Sequence, residues 1–519
     1  MDPNGERNRP VRAGALAALA VCAALAPLPG CAHRPAPPAA VTVRWVAGHT
    51  APAFDPDGPP DPLRGALERL LTRPLVERGP DGSVRFAAAE TAWADSAGRT
   101  WTIRLRAGLR FTDGTPATSA DFRDALAGGL AREDHATRAW LLGALTGMDR
   151  VRAGRPLPAL GIASPDPRTL VLTLARPEPG LLERLASPGV GAPWRSRAPG
   201  AWTTAVGLGP YRLAAEEPGR MLTFVRADTA CALRAAADTV FARFVVGAPR
   251  VRTLLRRGTP DLVWPLPPSL LDEPLAAGYA ADAREADPPR RLLLVLRADV
   301  PPTTQLPARH ALVHALNREA LLEAVGRRSE GAREWLAGAG PYEDPAFDAS
   351  QVRDWLARGR LGSSFHVVLA YDADGAGAEV ARALQGGWAS LGLYAELRPL
   401  RGADAAAEPL RAAAAQAQLV EAQAPMPGAA AELATLVMPL RGPAVGSLRT
   451  GWRTREFDPW ITAGAPAPGP LDAAGAQARL AEERVALPLL GLPWHWVGRA
   501  GTAPVVRFTA ATGPEFSRP

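Results

Sequence analysis

The stretch from Phe365 to Leu400 constrains the fold most strongly, because it predicts a strand, a helix and a second strand in succession. Its first segment, FHVVLAY, is a short apolar run typical of a buried strand. Its second segment, AEVARALQGGWASL, repeats apolar residues at helical spacing and is ended by Gly392. Such a unit pairs its two strands in parallel through a right-handed crossover. The chain is therefore predicted to be an α/β protein.

Its 519 residues exceed what one hydrophobic core accommodates, so we expect at least two lobes and at least two sheets. The alternating segment Val41–Gly48 predicts the first strand, and the apolar run within Arg290–Asp299 predicts a strand buried on both faces. Helical spacing from Arg309 to Val325 predicts one helix.

The cations of this chain are all arginines: lysine is absent, and Lys and Arg together number 59. Without lysine there is no P-loop phosphate anchor and no Schiff-base amine, which excludes those classes of enzyme. Net charge is +7, but the arginines are interspersed with acids and form no basic run. The composition therefore indicates no nucleic-acid partner.

The stretch from Thr100 to Phe122 predicts a strand, a turn and a capped helix. TWTIRLR alternates apolar and polar residues, as a half-buried strand does, and Asp113-Gly114 is typical of a tight turn. Thr118 stands three residues before Asp121, which is the spacing of a capping box. This stretch contains no apparent catalytic group.

The same stretch resembles the hallmark of the family 5 extracellular solute-binding proteins, the oligopeptide-, dipeptide- and nickel-binding lipoproteins of ABC importers. The hallmark is a strand followed by a segment of the form G-x-x-F-x-D-G-x-P-x-T-A-x-D. Further segments resemble the family in the same order along the chain, namely LVERGPDGSVRFAAAETAW (75–93), GLGPYRL (207–213), GTPDLV (258–263), ARHALVHALNREALLEAV (308–325), TREFDPWI (454–461) and ALPLLGLPWHW (486–496).

The resemblance implies a two-lobed, type II periplasmic-binding-protein-like clamp with an extra subdomain on its first lobe. It places that lobe at residues 41–290, with the subdomain at about 70–200. The second lobe then covers residues 291–487, and residues 488–519 return to the first. A hinge closure over the ligand is implied as well.

The resemblance implies a substrate-binding lipoprotein that captures a peptide-like or small organic solute and delivers it to an ABC permease. We expect no enzymatic activity, no cofactor and no metal, and a monomeric protein. Two alternatives stay open: a secreted hydrolase on the same scaffold, which the lack of a nucleophile motif argues against, and a non-transporting sensor or chaperone-like binder.

The ligand-binding segment departs from the family pattern. Peptide binders of the family carry an Asp in a W-x-x-D-x-x-DP segment, but the corresponding Leu419–Leu433 has neither that Asp nor the Asp-Pro pair. Glu421 and Gln423 are the polar candidates there. Arg297 stands where the family has a familiar Asn and either holds a carboxylate of the ligand or pairs with a surface acid. Four tryptophans are candidates for an aromatic pocket wall, with core packing as the alternative: Trp45, Trp202, Trp264 and Trp494.

Two other motifs suggest metal sites but lack essential ligands. His310 and His314 have the spacing of metal ligands on a helix, but Ala311 stands where a zincin has Glu and no third ligand is evident. DADG at 372–375 resembles a calcium loop without the closing Glu. Both motifs are interpreted as structural.

The chain begins with features of a lipoprotein signal peptide. Arg7, Arg9 and Arg12 precede an apolar run that is short for a membrane span. The segment LPGC, ending at Cys31, resembles the box at which such a peptide is cleaved and the cysteine acylated. Residues 1–30 are then the signal peptide and residues 31–40 a Pro/Ala tether. We expect the protein at the outer face of the cytoplasmic membrane; an ordinary secretory signal or an uncleaved anchor is the alternative.

Replacing Cys31 by Ser should release the protein from membranes, since the acylated thiol is the expected anchor. The measurement is the distribution of the protein between pellet and supernatant after cell fractionation. Persistence of the variant in the pellet would contradict a lipid anchor at this residue.

Overall fold

The computed structural model describes residues 40–518 with internal gaps. The gaps are residues 58–60, 132–135, 153–159, 197–199, 228–233, 272, 326–333, 343–344, 363–364, 374, 401–414, 438–449, 453, 458–471, 502–504 and 510–512. Cys31, the predicted signal peptide, nearly all of the predicted tether and Cys231 lie outside the described residues.

Two large sheets organise the chain. The first has seven strands in the order β10 (Tyr211–Glu217), β11 (Met221–Arg226), β13 (Thr239–Phe244), β1 (Thr42–Ala47), β14 (Leu262–Val263), β21 (Trp494–Arg499) and β15 (Tyr279–Arg284). The second has five strands in the order β18 (Tyr394–Leu400), β17 (His366–Asp372), β19 (Ala417–Gln423), β16 (Arg290–Leu296) and β20 (Ala486–Gly491).

Smaller sheets complete the strands. A four-stranded sheet has the order β4 (Ala89–Ala94), β5 (Thr100–Leu105), β7 (Thr169–Thr173) and β6 (Ile162–Asp166). The two-stranded pairs are β2 (Val76–Arg78) with β3 (Val84–Phe86), β8 (Trp194–Arg195) with β9 (Val206–Gly207), β12 (Arg234–Ala235) with β24 (Ser517–Arg518), and β22 (Arg507–Thr509) with β23 (Gly513–Glu515).

The helices pack around these sheets. They are α1 (Pro62–Leu71), α2 (Ser119–Ala131), α3 (Ala136–Leu141), α4 (Met148–Arg152), α5 (Leu181–Leu185), α6 (Ala248–Arg256), α7 (Leu306–His314), α8 (Arg318–Val325), α9 (Ala349–Arg358), α10 (Gly377–Ala389), α11 (Ala429–Val437) and α12 (Ala473–Glu483). None of the helices in the described part of the chain is both long and apolar enough to span a bilayer.

The predicted strand–helix–strand unit is confirmed. β17 and β18 pair in parallel from His366↔Tyr394 to Asp372↔Leu400, with α10 as the connection. Val380, Leu384 and Trp388 on α10 are buried, as their helical spacing predicts. The α/β assignment is therefore correct.

The predicted helix over Arg309–Val325 is wrong in one respect, because two helices occupy this stretch. α7 ends at His314, and α8 begins at Arg318. Asn317 supplies the reason, since its side-chain oxygen accepts a hydrogen bond from Ala320 N at 3.0 Å and caps the second helix. The apolar positions at Leu312, Leu316, Leu321 and Val325 are nonetheless all buried.

The turn and cap after β5 form as predicted. Asp113 accepts hydrogen bonds from the backbone and hydroxyl of Thr115, and Gly114 takes the left-handed conformation with φ +85°. Asp121 accepts a bond from Thr118 N at 2.8 Å. Arg195 from β8 joins these pieces: it contacts the Asp121 carboxylate at 2.6 Å and lies over the Phe111 ring. The motif is thus a structural unit held by a distant arginine.

The Asp121→Ala substitution should lower the free energy of unfolding by about 1–2 kcal/mol, because it removes the bonds that the Asp121 carboxylate accepts from Thr118 and its ion pair with Arg195. Asp124→Ala on the same helix is the matched control, since Asp124 is exposed and its ion-pair partner among the described residues is the adjacent Arg123. Urea unfolding of both variants measures the difference. Equal losses in the two variants would contradict the role assigned to the cap.

Candidate ligand-binding site

The chain passes between the two large sheets in two short segments. The first runs from Arg284 at the end of β15 to Arg290 at the start of β16, and the second from Gly491 in β20 to Trp494 in β21. The two segments lie side by side, because Leu492 N donates to Arg290 O at 2.8 Å. Gln423 joins them from the end of β19, where its side-chain amide donates to Pro288 O at 2.9 Å. These residues mark the junction between the sheets.

Arg290 makes the central contacts of this junction. Its guanidinium lies 4.1 Å from the centroid of the Trp494 ring and pairs with Glu421 at 2.8 Å. Burial lowers the pKa of Arg290, and the Glu421 charge opposes that shift. Glu421 also accepts a bond from Ala376 N, beside the start of α10. The predicted candidate Glu421 is therefore already engaged by groups of the protein itself.

The backbone of β19 has an open edge at the same junction. β19 pairs with β16 over all its residues, Ala417–Gln423, but with β17 only over Ala417–Leu419. Among the described residues, no strand pairs with residues 420–423 on the β17 side. Unpaired backbone groups on a strand edge can hydrogen-bond an extended peptide or another polar solute.

A second set of loops lies at the carboxyl ends of parallel strands in the seven-stranded sheet, the edge at which α/β sheets bind ligands. β1 pairs in parallel with both β13 and β14. The loop after β1 begins at Gly48, whose N–H donates to Pro265 O at 3.0 Å. Farther along, Asp57 pairs with Arg138 at 3.0 Å and accepts from Trp194 at 2.9 Å. The loop is therefore held at both ends.

The four candidate tryptophans are buried in the hydrophobic core that packs against the seven-stranded sheet. The Trp45 indole donates to Trp264 O and stacks on Phe516 with centroids 5.2 Å apart, while Trp264 packs edge-on against Trp494 at 5.5 Å. Trp202 is likewise buried and donates to Pro52 O at 2.8 Å. This packing supports the core interpretation, and their contact with ligand stays a prediction.

Arg297 lies at the far end of β16 from the junction. Its guanidinium pairs with both carboxylate oxygens of Asp299, at 2.9 and 2.8 Å. The ion pair supports the second of the two alternatives for this residue, and its role as a ligand anchor stays a prediction. The structure brings Glu421, Gln423 and Trp494 together but not Arg297. Arg290 takes the central position instead, and no local sequence signal distinguishes it from other arginines.

The histidine motif has a structural environment. The His310 ring stacks on Trp355 with centroids 4.0 Å apart, and burial lowers the pKa of His310 to about 4. Within the described part of the chain, no three His, Cys, Asp or Glu side chains are grouped as metal ligands.

The two large sheets, joined by two short crossings, form a two-lobed α/β fold that known proteins share. The model of the bacterial extracellular solute-binding proteins, family 5 Middle, matches residues 84–436. The chain therefore belongs to family 5 of the bacterial extracellular solute-binding proteins. Both this family and the similar solved structures consist of binding proteins.

A curated relative is the periplasmic oligopeptide-binding protein OppA of Escherichia coli K12. It is 29% identical over 136 residues, and the chain spans only 25% of that relative's length.

Solved structures match over most of the chain. Haemophilus influenzae OppA in complex with RPPGFSPFR has a TM-score of 0.74 at 16% identity, covering 90% of this chain and 96% of that one. AgaA from A. tumefaciens R10 in complex with agropinic acid has a TM-score of 0.73 at 18% identity, covering 92% and 98%. The Escherichia coli murein tripeptide binding protein MppA has a TM-score of 0.75 at 17% identity, covering 92% and 97%. The predicted type II clamp fold is confirmed.

Glu68 on α1 should make stability fall as the pH rises. It accepts a bond from Asp55 N at 2.8 Å, and burial raises the pKa of its carboxyl group from 4.5 to about 8 although Arg64 opposes the shift. Between these values the folded chain holds a proton that the unfolded chain has lost. Glu68→Gln should therefore flatten the decline in unfolding free energy between about pH 5 and pH 8. Urea unfolding across this range measures it, and parallel curves for the two proteins would contradict the assignment.

Proposed function

We propose that this protein is the extracytoplasmic substrate-binding component of an ABC importer, and that it captures a peptide-like or small organic solute between its two lobes. The observation that carries the proposal is the open edge of β19 beside the two chain crossings. An extended solute that pairs with this edge would be positioned against the loops after β1 and β14 when the lobes close.

Closure about the two crossings is part of the proposal. The segments 285–289 and 492–493 are short and adjacent, which suits rotation of one sheet against the other. In this proposal the first lobe covers 41–290 with its subdomain at about 70–200, the second covers 291–487, and 488–519 return to the first. Only a ligand that binds the closed state more tightly than the open state would shift the equilibrium between the two states toward closure.

The solute is expected to be held mainly by backbone and apolar contacts. Glu421, the acid at the junction, is paired with Arg290, so an ammonium group would have to compete with that guanidinium. The similar structures include complexes with a nonapeptide and with agropinic acid, which supports a peptide or another small organic solute. The proposal includes a lipid on Cys31 that holds the protein at the outer face of the cytoplasmic membrane. It also includes delivery of the solute to a permease by a monomeric protein.

Native mass spectrometry of the purified mature protein should detect a bound solute of defined mass, and calorimetry with that solute should give a measurable affinity.

Gln423→Ala should weaken the affinity for that solute about tenfold, because the Gln423 amide fixes the end of β19 against the crossing. Gln385→Ala is the matched control, since Gln385 on α10 bonds Ala395 O within the second lobe. Turnover of the solute during incubation would contradict a purely binding role and favour the hydrolase alternative.

A further inference from the structure

A groove of about 500 Å³ lies on the seven-stranded sheet, outside the junction described above. One wall is the turn between β10 and β11, and the other is the end of β13 with the start of α6. Phe244 N donates to Arg220 O at 2.9 Å and joins the two walls. We name this surface the arginine groove after Arg220, Arg243 and Arg250, which line it.

The groove is strongly cationic. Glu217 is the one acid among the described residues that line it, and it pairs with Arg220 at 3.0 Å. Arg243 and Arg250 are exposed, and neither forms an ion pair with a residue in the described ranges. Arg250 lies in the first turn of α6, at the end of the helix where the dipole places a positive partial charge. The guanidinium groups of Arg243 and Arg250 are therefore exposed to solvent, and the amino-terminal end of α6 adds to their positive potential.

The groove also presents apolar surface. Val246 is 40% exposed, and Met221 and Val245 line the groove beside it. Arginine and methionine are both enriched at protein–protein interfaces relative to the rest of the surface. A lipid headgroup or a free inorganic anion would not require these apolar groups, so the composition favours a protein partner.

Its position connects the groove to the ligand-binding edge. Ala47 pairs with Phe244 and Val46 with Val263 in parallel register, so the strands β1, β13 and β14 end along one sheet edge. The loops proposed to contact the solute follow two of those strands, and the groove follows the third. A partner seated in the groove would therefore adjoin the mouth of the solute site.

We propose that the arginine groove docks an acidic segment of the membrane permease that receives the solute. The identity of the partner as a permease rests on the proposed function. That the docked segment is acidic follows from the arginines of the groove alone. Carboxylates can accept paired hydrogen bonds from Arg243 and Arg250, and such charge complementarity governs the rate and orientation of docking.

The test uses a fluorescently labelled hexaglutamate peptide as the probe and the full mature chain at low salt, with binding followed by anisotropy. Arg243→Glu/Arg250→Glu should weaken binding at least about tenfold. The matched control is Arg353→Glu/Arg382→Glu, which changes net charge equally at exposed arginines on α9 and α10 and should leave binding within about twofold. Thermal midpoints of both variants establish that they are folded.

Equal losses in the two variants, or no binding by the wild type, would overturn the proposal. So would loss of binding to phosphatidylglycerol vesicles in the groove variant without loss of peptide binding, which would assign the groove to lipid. The co-purified solute should bind the groove variant with unchanged affinity, while its uptake by cells falls about tenfold. Absence of any co-purified solute would count against the proposed function only, because peptide binding is measured separately.

Discussion

The contact of Arg290 with Trp494 and Glu421 is the interaction on which the arrangement of the two lobes depends. Arg290 begins the second sheet, Trp494 belongs to the first, and Glu421 extends to the start of α10. A charge removed from water is stable only when it is fully paired, so these three side chains fix one another. The two chain crossings thereby keep a defined separation, and the open edge of β19 stays beside them.

Arginine has a second structural task in this lysine-free chain, because it joins segments that are distant in sequence. Arg138 on α3 donates to the backbone of Pro56 and Gly189 and thereby joins the loop after β1 to the segment between α5 and β8. Arg309 on α7 bonds both the backbone carbonyl and the carboxylate of Glu483, and thereby joins α7 to the end of α12. A planar guanidinium with five donors can bond several carbonyl groups at once, which a lysine ammonium does less specifically. Arg138 and Arg309 thus hold the fold together, and the arginines of the chain are interspersed with acids, not grouped in a basic run.

The sequence predicted those elements whose signal is local. The alternation around Ile103 and the helical spacing from Val380 to Trp388 determine burial directly, and both predictions are confirmed. The break at Asn317 was missed because a cap competes with periodicity over only a few residues. Arg290 could not be predicted, since its partners Glu421 and Trp494 lie far along the chain and neither has a distinctive neighbour. The tryptophans show the same limit, because an aromatic residue in a strand suits a core and a pocket wall equally well.

The packing of Phe516 against β1 has a consequence for the order in which the chain folds. The ring of Phe516 stacks on Trp45, its carbonyl accepts a bond from the Tyr211 hydroxyl at 2.6 Å, and β24 pairs with β12. The aromatic packing around Trp45 is therefore incomplete until Phe516 is in place. The bond from the Tyr211 hydroxyl to Phe516 joins residues 305 positions apart. Closing so long a loop costs conformational entropy before its contacts form, so we expect this part of the core to form late in folding.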